Sequence, residues 1–468
     1  MLRTFRRSLS GVGVQLNFQN HAEAYKHRTL WELTRALLVL KACSYDAFVD
    51  NSQWLLSTGQ RMLGRRLFTA LVGPTFYRQF VGGSSLHEMQ ACVGQLRCAQ
   101  VRPMVACPLE EEDEATDVEP SNSATGLYER NGEAILRCLN VTAQLGPGIP
   151  LMQLKMSGLL PASVLCRLGS VFESSPSPEK VIGQVANALE SSHHEDQELG
   201  FEPKDRLLLQ MGLANLRRIC QASRDSGVKT LIDAEHVKIN TGIDLLALAL
   251  MVVFNKERPL IGHTYQCYLT STQDRLERHL ALAASLGVSF GVKLVRGAYM
   301  DSERKRALSA GHPSPVFGTY EETNNNYNRL LRRLMWFVAA SERECNLVVA
   351  SHNEESIQTA ISEMRALGLQ PDDPRISFGQ LLGMYDQTTF PLALGGYNVY
   401  KSIPYGPLTE LLPYLARRAS ENRAVLRSPA QERCMLAREI RRRLLVPSFG
   451  RRSASSAVDG QSGSGSGP

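Results

Sequence analysis

Eight short, β-rich apolar runs recur along this chain, at residues 102–107, 151–156, 228–234, 261–268, 290–295, 347–351, 375–379 and 398–402, with stretches of helical periodicity between them. Strands that read as near-continuous apolar runs are buried on both faces, and parallel neighbours need a crossover of a dozen or more residues, usually a helix. Eight such units within about 340 residues fit a closed barrel with insertions. An open doubly wound sheet is instead expected to carry a glycine-rich dinucleotide loop after an early strand, and Gly11 and Gly13 precede no helix pattern. The expected fold is α/β: a (β/α)8 TIM-like barrel over residues 99–446.

Ahead of the barrel, Leu33, Ala36, Leu37 and Leu40, then Leu63, Leu67, Ala70 and Leu71, recur at three and four residues. Gly73-Pro74 and Gly82-Gly83 punctuate the pattern, so residues 28–98 read as a helical arm. Residues 110–125 are acidic and then Ser/Pro/Asn-rich, and residues 174–203 carry Pro176, Pro178 and a polar run; both read as exposed insertions. Residues 1–27 set Arg3, Arg6 and Arg7 among Leu2, Phe5, Val12, Val14 and Leu16 with no acid before Glu23. That is the make-up of a mitochondrial transit peptide, although basic tails look similar. Residues 447–468 end in Gly/Ser low complexity and read as a disordered tail.

The formal charge of +6 raises the question of a nucleic-acid partner, and its distribution answers it. The first 30 residues contribute +4 and residues 441–452 contribute +5, so the rest of the chain is −3 and nucleic acid is disfavoured. No pair among the ten cysteines has C-x-x-C spacing, so they read as reduced thiols and no metal site is expected. The longest apolar run, 245–254, is well short of the roughly 18–20 residues that span a bilayer.

In a parallel barrel the reacting groups sit at the C-terminal strand ends, where the loops converge. Lys155 closes the second run, Asp233 and Glu235 the third, Gln266 the fourth, Lys293 and Arg296 the fifth, His352 and Asn353 the sixth, and Gln380 the seventh. One polar residue closing a strand is usually a cap or a loop ion pair. Polar residues at strand end after strand end point to a site. Beyond the last strand, Tyr414, Arg417, Arg418 and Glu421 are spaced at three and four along one helix face. Adjacent arginines usually only solvate a surface helix, yet two planar forks also match a carboxylate, each charge-assisted bond contributing about 1.5–3 kcal/mol.

The ordered set Lys155, Asp233, Gln266, Lys293-x-x-Arg296-Gly-Ala-Tyr299, His352-Asn353, Gln380-Leu381 and Tyr414-x-x-Arg417-Arg418-x-x-Glu421-Asn422 resembles the proline dehydrogenase family over residues 102–445. The resemblance implies FAD at the barrel mouth, cradled by Gln266, Lys293, Arg296, Gly297, His352, Asn353, Gln380 and Leu381. Gly297 would admit close backbone approach, and positive charge would favour the pyrophosphate and a reduced flavin. It further implies that Lys155, Arg417 and Arg418 hold the carboxylate of a cyclic imino acid. Asp233 would orient Lys155, Glu421 would fix an arginine, and Tyr299 and Tyr414 would wall the ring. Family members commonly carry Arg at the position of Lys293 and Lys at that of Arg296, which keeps the charge and alters the hydrogen-bond geometry. The implied reaction is hydride transfer from ring C5 to flavin N5, with electrons passed to a quinone and peripheral contact with the matrix face of the inner mitochondrial membrane. Glu110 to Glu112 offer carboxylates that gate the arginines, or a plain acidic surface.

Proline-oxidising members typically end the last strand with a tyrosine two residues before the turn proline. Here the stretch is Lys401-Ser402-Ile403-Pro404-Tyr405-Gly406, with Ser402 in that place. This resembles the branch that oxidises trans-4-hydroxy-L-proline to Δ1-pyrroline-3-hydroxy-5-carboxylate. Serine removes a ring's worth of bulk and supplies a donor and an acceptor. A serine that merely widens the pocket leaves a proline dehydrogenase forming Δ1-pyrroline-5-carboxylate. Two further alternatives are a folate reductase-like flavin barrel, which needs a nicotinamide partner and no arginine pair, and a degenerate barrel that binds no flavin.

Overall fold

The computed structural model describes residues 16–107, 109, 123–146, 148, 150–191, 201–424 and 429–445; the side chains of residues 53, 123–125, 420–424, 429 and 430 lie outside the description. Eight strands, β1 (Arg102–Ala106), β2 (Leu151–Leu154), β3 (Lys229–Ile232), β4 (Ile261–Gln266), β5 (Phe290–Val295), β6 (Cys345–Ala350), β7 (Ile376–Leu381) and β8 (Val399–Pro404), form one closed barrel in sequence order. Every pairing is parallel, and β8 closes on β1 with Met104 opposite Ser402. All eight expected runs are strands.

Three longer helices, α1 (Leu30–Ala42), α2 (Ser52–Val72) and α3 (Leu86–Cys98), precede the barrel. Around it run α4 (Ser123–Ala143), α5 (Ala162–Ser174), α6 (Pro178–Glu190), α7 (Pro203–Ser226), α8 (Val237–Phe254), α9 (Thr272–Ser285), α10 (Met300–Ser309), α11 (Tyr320–Ala340), α12 (Glu354–Ala366) and α13 (Asp386–Leu394). The described chain ends with α14 (Leu412–Ala424) and α15 (Pro429–Leu445). Local chemistry sets several boundaries. Thr29 with Glu32, and Thr319 with Glu322, form reciprocal capping boxes at the starts of α1 and α11. Gly227, at φ 69°, stops α7 in the left-handed region.

The barrel interior is layered. Met104, Leu151, Leu231, Val348 and Tyr400 pack together at one level. Side chains two residues further along a strand share its face, so the next level holds Gln153, Asp233, Lys293 and Ser402. The outer strand faces join the helices in the main core. The most apolar helix, α8, is long and apolar enough to cross a membrane by composition, but it lies buried against α5, α6 and β4. A side chain at Gly242 would put its Cβ 2.0 Å from the Leu165 carbonyl oxygen, so α5 and α8 meet backbone to backbone there.

Two expectations change. Within 174–203, expected to be an exposed insertion, residues 178–190 form α6, with Val181, Ile182, Val185, Ala186 and Leu189 buried. Pro178 starts that helix because the first turn needs no N–H from it. Residues 192–200, like 110–122, lie outside the described residues. Second, residues 16–27 pack into the fold instead of standing apart as leader: Phe18 enters the main core, and Ala24 and Tyr25 pack with Leu33, Met435 and Leu436. Part of the basic C-terminal stretch is structural, since Arg442 and Arg443 clasp the buried Glu439 and Arg443 also donates to the Tyr25 carbonyl. The expected tail, 447–468, lies outside the described residues.

Candidate active site

Alternation along β2, β3, β5 and β8 turns four polar side chains into the barrel, where they bond to one another across the lumen. The Lys293 ammonium, within β5, pairs with the Asp233 carboxylate just beyond β3 and donates to Gln153 Oε1 at 3.0 Å. Gln153, on β2, donates from Nε2 to Ser402 Oγ on β8 at 2.7 Å. Asp233 therefore neutralises Lys293, whereas the resemblance gave it to Lys155. The Lys155 ammonium instead donates to the Tyr299 hydroxyl at 2.6 Å and lies 5.3 Å from that ring's centroid.

Tyr299 is positioned from behind. The His236 ring packs against it at 4.2 Å between centroids, and His236 Nδ1 is 2.9 Å from Glu303 Oε1 on α10. The same oxygen accepts from the Val237 N–H at 2.9 Å. A substrate carboxylate beside Lys155 would thus meet an ammonium and a phenol already held in place.

On the next part of the rim, Arg296 donates to Asn324 Oδ1 at 2.8 Å, Ser351 Oγ at 2.8 Å and Ser356 Oγ at 2.9 Å, with its guanidinium 4.4 Å from the Tyr327 ring centroid. Ser356 lies in the first turn of α12, which Asn353 caps by accepting the Ser356 N–H at 2.9 Å. A fixed cation beside a helix N-terminus is a favourable environment for phosphate. Gly297 sits at φ 134°, and a Cβ there would fall 1.3 Å from a ring carbon of Tyr268. The ring of Tyr268 therefore explains this glycine without a cofactor.

Gln266 and Gln380 are more structural than their strand-end positions suggested. Gln266 gives its amide to the carbonyls of Ala234 and Glu235 and accepts from Asn240. Gln380 turns outward, accepting from Thr389 on α13 and donating to the Ser351 carbonyl. Glu235 is likewise absorbed, accepting the N–H and hydroxyl of Ser157.

His352 accepts the Leu381 N–H through Nε2 at 3.0 Å and stacks on Tyr385 at 4.4 Å. Burial first, then the charges of Lys401, Arg418 and Arg296, push its pKa well below the usual histidine range, so the ring is neutral. Tyr385 adopts φ 56°, and its N–H donates to Glu432 Oε1 at 3.0 Å. Tyr385 packs with Tyr414, Leu415 and Ala419, which brings α14 to this rim. Arg418 is only 7% exposed and lies 4.8 Å from the Tyr414 ring centroid; Arg417 is half-buried. The side chain of Glu421 lies outside the description. Behind the rim, the fully buried Lys401 donates to the Leu381 carbonyl at 3.0 Å and pairs at 3.1 Å with Asp386, to which Arg28 donates at 2.9 Å.

Sequence reasoning singled out neither Gln153 nor His236. Gln153 stands two residues before Lys155, and strand periodicity alone would have put both on the inner face. His236 gave no such signal, because a loop carried it under Tyr299.

The mouth thus combines lysine, arginine, a neutral histidine and a cation beside a helix N-terminus. That defines a class: a (β/α)8-barrel enzyme with its polar, cationic site at the C-terminal rim. Residues 159–430 match the family described as proline dehydrogenase. Among similar proteins, hydroxyproline dehydrogenase of Xenopus laevis is 39% identical over 90% of this chain and 89% of its own. Hydroxyproline dehydrogenase of Bos taurus is 40% identical over 90% and 92%. Proline dehydrogenase 1, mitochondrial, of Homo sapiens is 30% identical over 92% and 90%. The crystal structure of proline utilization A from Bdellovibrio bacteriovorus, inactivated by N-propargylglycine, has a TM-score of 0.59 at 18% identity and covers 91% of this chain. This chain spans 41% of that longer protein, and the likeness bears on the fold. The chain belongs to the proline dehydrogenase family.

Proposed function

We propose that this enzyme oxidises trans-4-hydroxy-L-proline to Δ1-pyrroline-3-hydroxy-5-carboxylate with bound FAD. The observation that carries the reading is Ser402, 6% exposed and turned into the polar level of the barrel, where a small hydroxyl leaves room for a substituted ring. The higher identity to relatives named hydroxyproline dehydrogenase, 39–40% against 30%, supports it. Lys155, Arg417 and Arg418 hold the carboxylate, Tyr299 and Tyr414 flank the ring, and Glu421 braces an arginine. Asp233 pairs with Lys293 and fixes the position of its ammonium.

The donor set fits FAD. Arg296 and the start of α12, capped by Asn353, suit the pyrophosphate, while Lys293, His352 and Leu381 border the space for the ring system, with Gln266, Gly297 and Gln380 shaping the shell behind. When bound, the flavin supplies the hydride acceptor for ring C5. The protein's contribution is to fix the carboxylate and to place fixed positive charge at the mouth.

Electrons pass from the flavin to a quinone, and the protein works at the matrix face of the inner mitochondrial membrane, its transit segment confined to residues 1–15. A docking surface supports this. On α2, Trp54, Met62, Leu67 and Leu71 are exposed beside Arg61, Arg65 and Arg66, with no acid between residues 51 and 87. Exposed apolar side chains on both sides of the break at Gly64, interspersed with arginine, suit an anionic bilayer. The chain is expected to cosediment with phosphatidylglycerol-containing vesicles, and M62D with L67D to release it; equal binding by that variant would remove α2 from the contact.

The test of substrate uses the chain without residues 1–15, loaded with FAD. Anaerobic flavin bleaching is faster with trans-4-hydroxy-L-proline than with L-proline, and Ser402→Tyr lowers the hydroxyproline-to-proline ratio of kcat/KM about tenfold or more. Faster bleaching of the wild type by proline would make it a proline dehydrogenase forming Δ1-pyrroline-5-carboxylate. A protein that takes up no flavin would end the oxidase reading.

A further inference from the structure

The hydrogen bonds from β5 to β8 run in one direction only. The Lys293 ammonium donates and never accepts, so the Gln153 atom 3.0 Å from it is the amide oxygen. The amide NH2 then faces Ser402 Oγ at 2.7 Å, and the serine oxygen accepts. Serine has a single hydrogen, and accepting from Gln153 leaves that hydrogen for another partner. Ser402 and Gln153 are 6% and 9% exposed, so solvent is a poor alternative partner. Two residues past Gln153 on β2, Lys155 stands where the substrate carboxylate is placed, so the free donor and the carboxylate anchor belong to one pocket.

We propose that Gln153 is a specificity-determining positioning residue, which makes the Ser402 hydroxyl a directional donor to an oxygen carried on the substrate ring. Without it, the serine hydroxyl is a rotor that accommodates plain and hydroxylated rings alike. With it, a ring lacking the hydroxyl leaves a buried O–H without an acceptor, and this is the circumstance in which a polar site rejects an unsubstituted analogue strongly. The proposal rests on the reading of a hydroxylated imino acid as substrate.

The test compares kcat/KM for trans-4-hydroxy-L-proline and L-proline in FAD-loaded wild type, Gln153→Met, Gln153→Glu, Ser402→Ala and the double variant Gln153→Met/Ser402→Ala. Gln153→Met keeps the length and removes both bonds. Gln153→Glu keeps the bond from Lys293 but reverses the other, so that serine donates to the carboxylate and its hydrogen is consumed. Effects of the added charge on the flavin act on both substrates and cancel in the ratio. Both substitutions are expected to lower the hydroxyproline-to-proline ratio about tenfold or more, the scale of one directed hydrogen bond. The double variant should fall no further than Ser402→Ala alone, because the effect passes through the serine. A merely structural role would lower both substrates together or add to the serine effect. If Gln153→Met does not fold, as judged by flavin absorbance and melting, Gln153→Glu decides. A ratio unchanged at Gln153 but lowered in Ser402→Ala overturns the role of Gln153 and leaves the substrate reading intact. A wild type that prefers proline overturns the substrate reading, and this inference with it.

Discussion

Arg418→Met is expected to lower kcat/KM for the imino acid by about 10- to 10⁴-fold while FAD stays bound. The range follows from losing one or two charge-assisted bonds to the carboxylate, at about 1.5–3 kcal/mol each and 1.36 kcal/mol per factor of ten. Arg418 can supply them because it is pre-positioned: it is 7% exposed, packed on Tyr414, and near enough to His352 to depress that pKa. The carboxylate is bound in both ground and transition states, so most of the loss appears in KM. Arg418→Lys keeps the charge but not the fork and recovers only part of the activity. Steady-state kinetics on the two variants checks this. A kcat/KM for Arg418→Met within about threefold of wild type would place the carboxylate elsewhere on the rim.

Asp244→Ala has the largest expected effect on stability, about 3–5 kcal/mol, because it strands a buried arginine. Asp244, inside α8, lies 2.6 Å from His263 Nε2, 3.1 Å from Arg275 Nε and 3.8 Å from His279 Nε2. Burial alone would raise its pKa, but Arg275, His279 and His263 outweigh burial and hold the carboxyl below the ordinary range. Its contribution is therefore complete above the unfolded-state pKa of about 3.9 and is lost as pH falls through the depressed value. His279 behaves oppositely, its pKa pushed down to about 3, chiefly by burial. From about pH 6.5 downward the unfolded chain takes up a proton there that the folded chain refuses, so this residue costs stability as acid is added. Urea unfolding at neutral pH measures the Asp244 effect, and repeating it near pH 5 should show the wild type weaker. A loss below about 1 kcal/mol in Asp244→Ala, the level of an exposed ion pair, would mean that water reaches Arg275.

Several elements were legible in the chain because they depend on local regularities. Each barrel strand is an apolar run between helical stretches, and residues such as Lys155, Lys293 and Arg296 stand at or near strand ends, where a parallel barrel gathers function. The helix α6 was misread since Pro178 looked like a breaker, although its buried residues recur at helical spacing. The segment 16–27 was misread because a few basic and apolar residues cannot reveal that Phe18 and Tyr25 have partners hundreds of residues away in the folded chain.

Period, spacing and residue type, which are properties of neighbours along the chain, determined the barrel, its polar rim and the arginine pair. Which groups bond to one another was decided only by closure of the barrel. Asp233 turned to Lys293, Lys155 to Tyr299, Gln153 to Ser402 and Gln380 outward to Thr389, because a hydrogen bond needs about 3 Å and a direction, and those distances exist only once β8 pairs with β1.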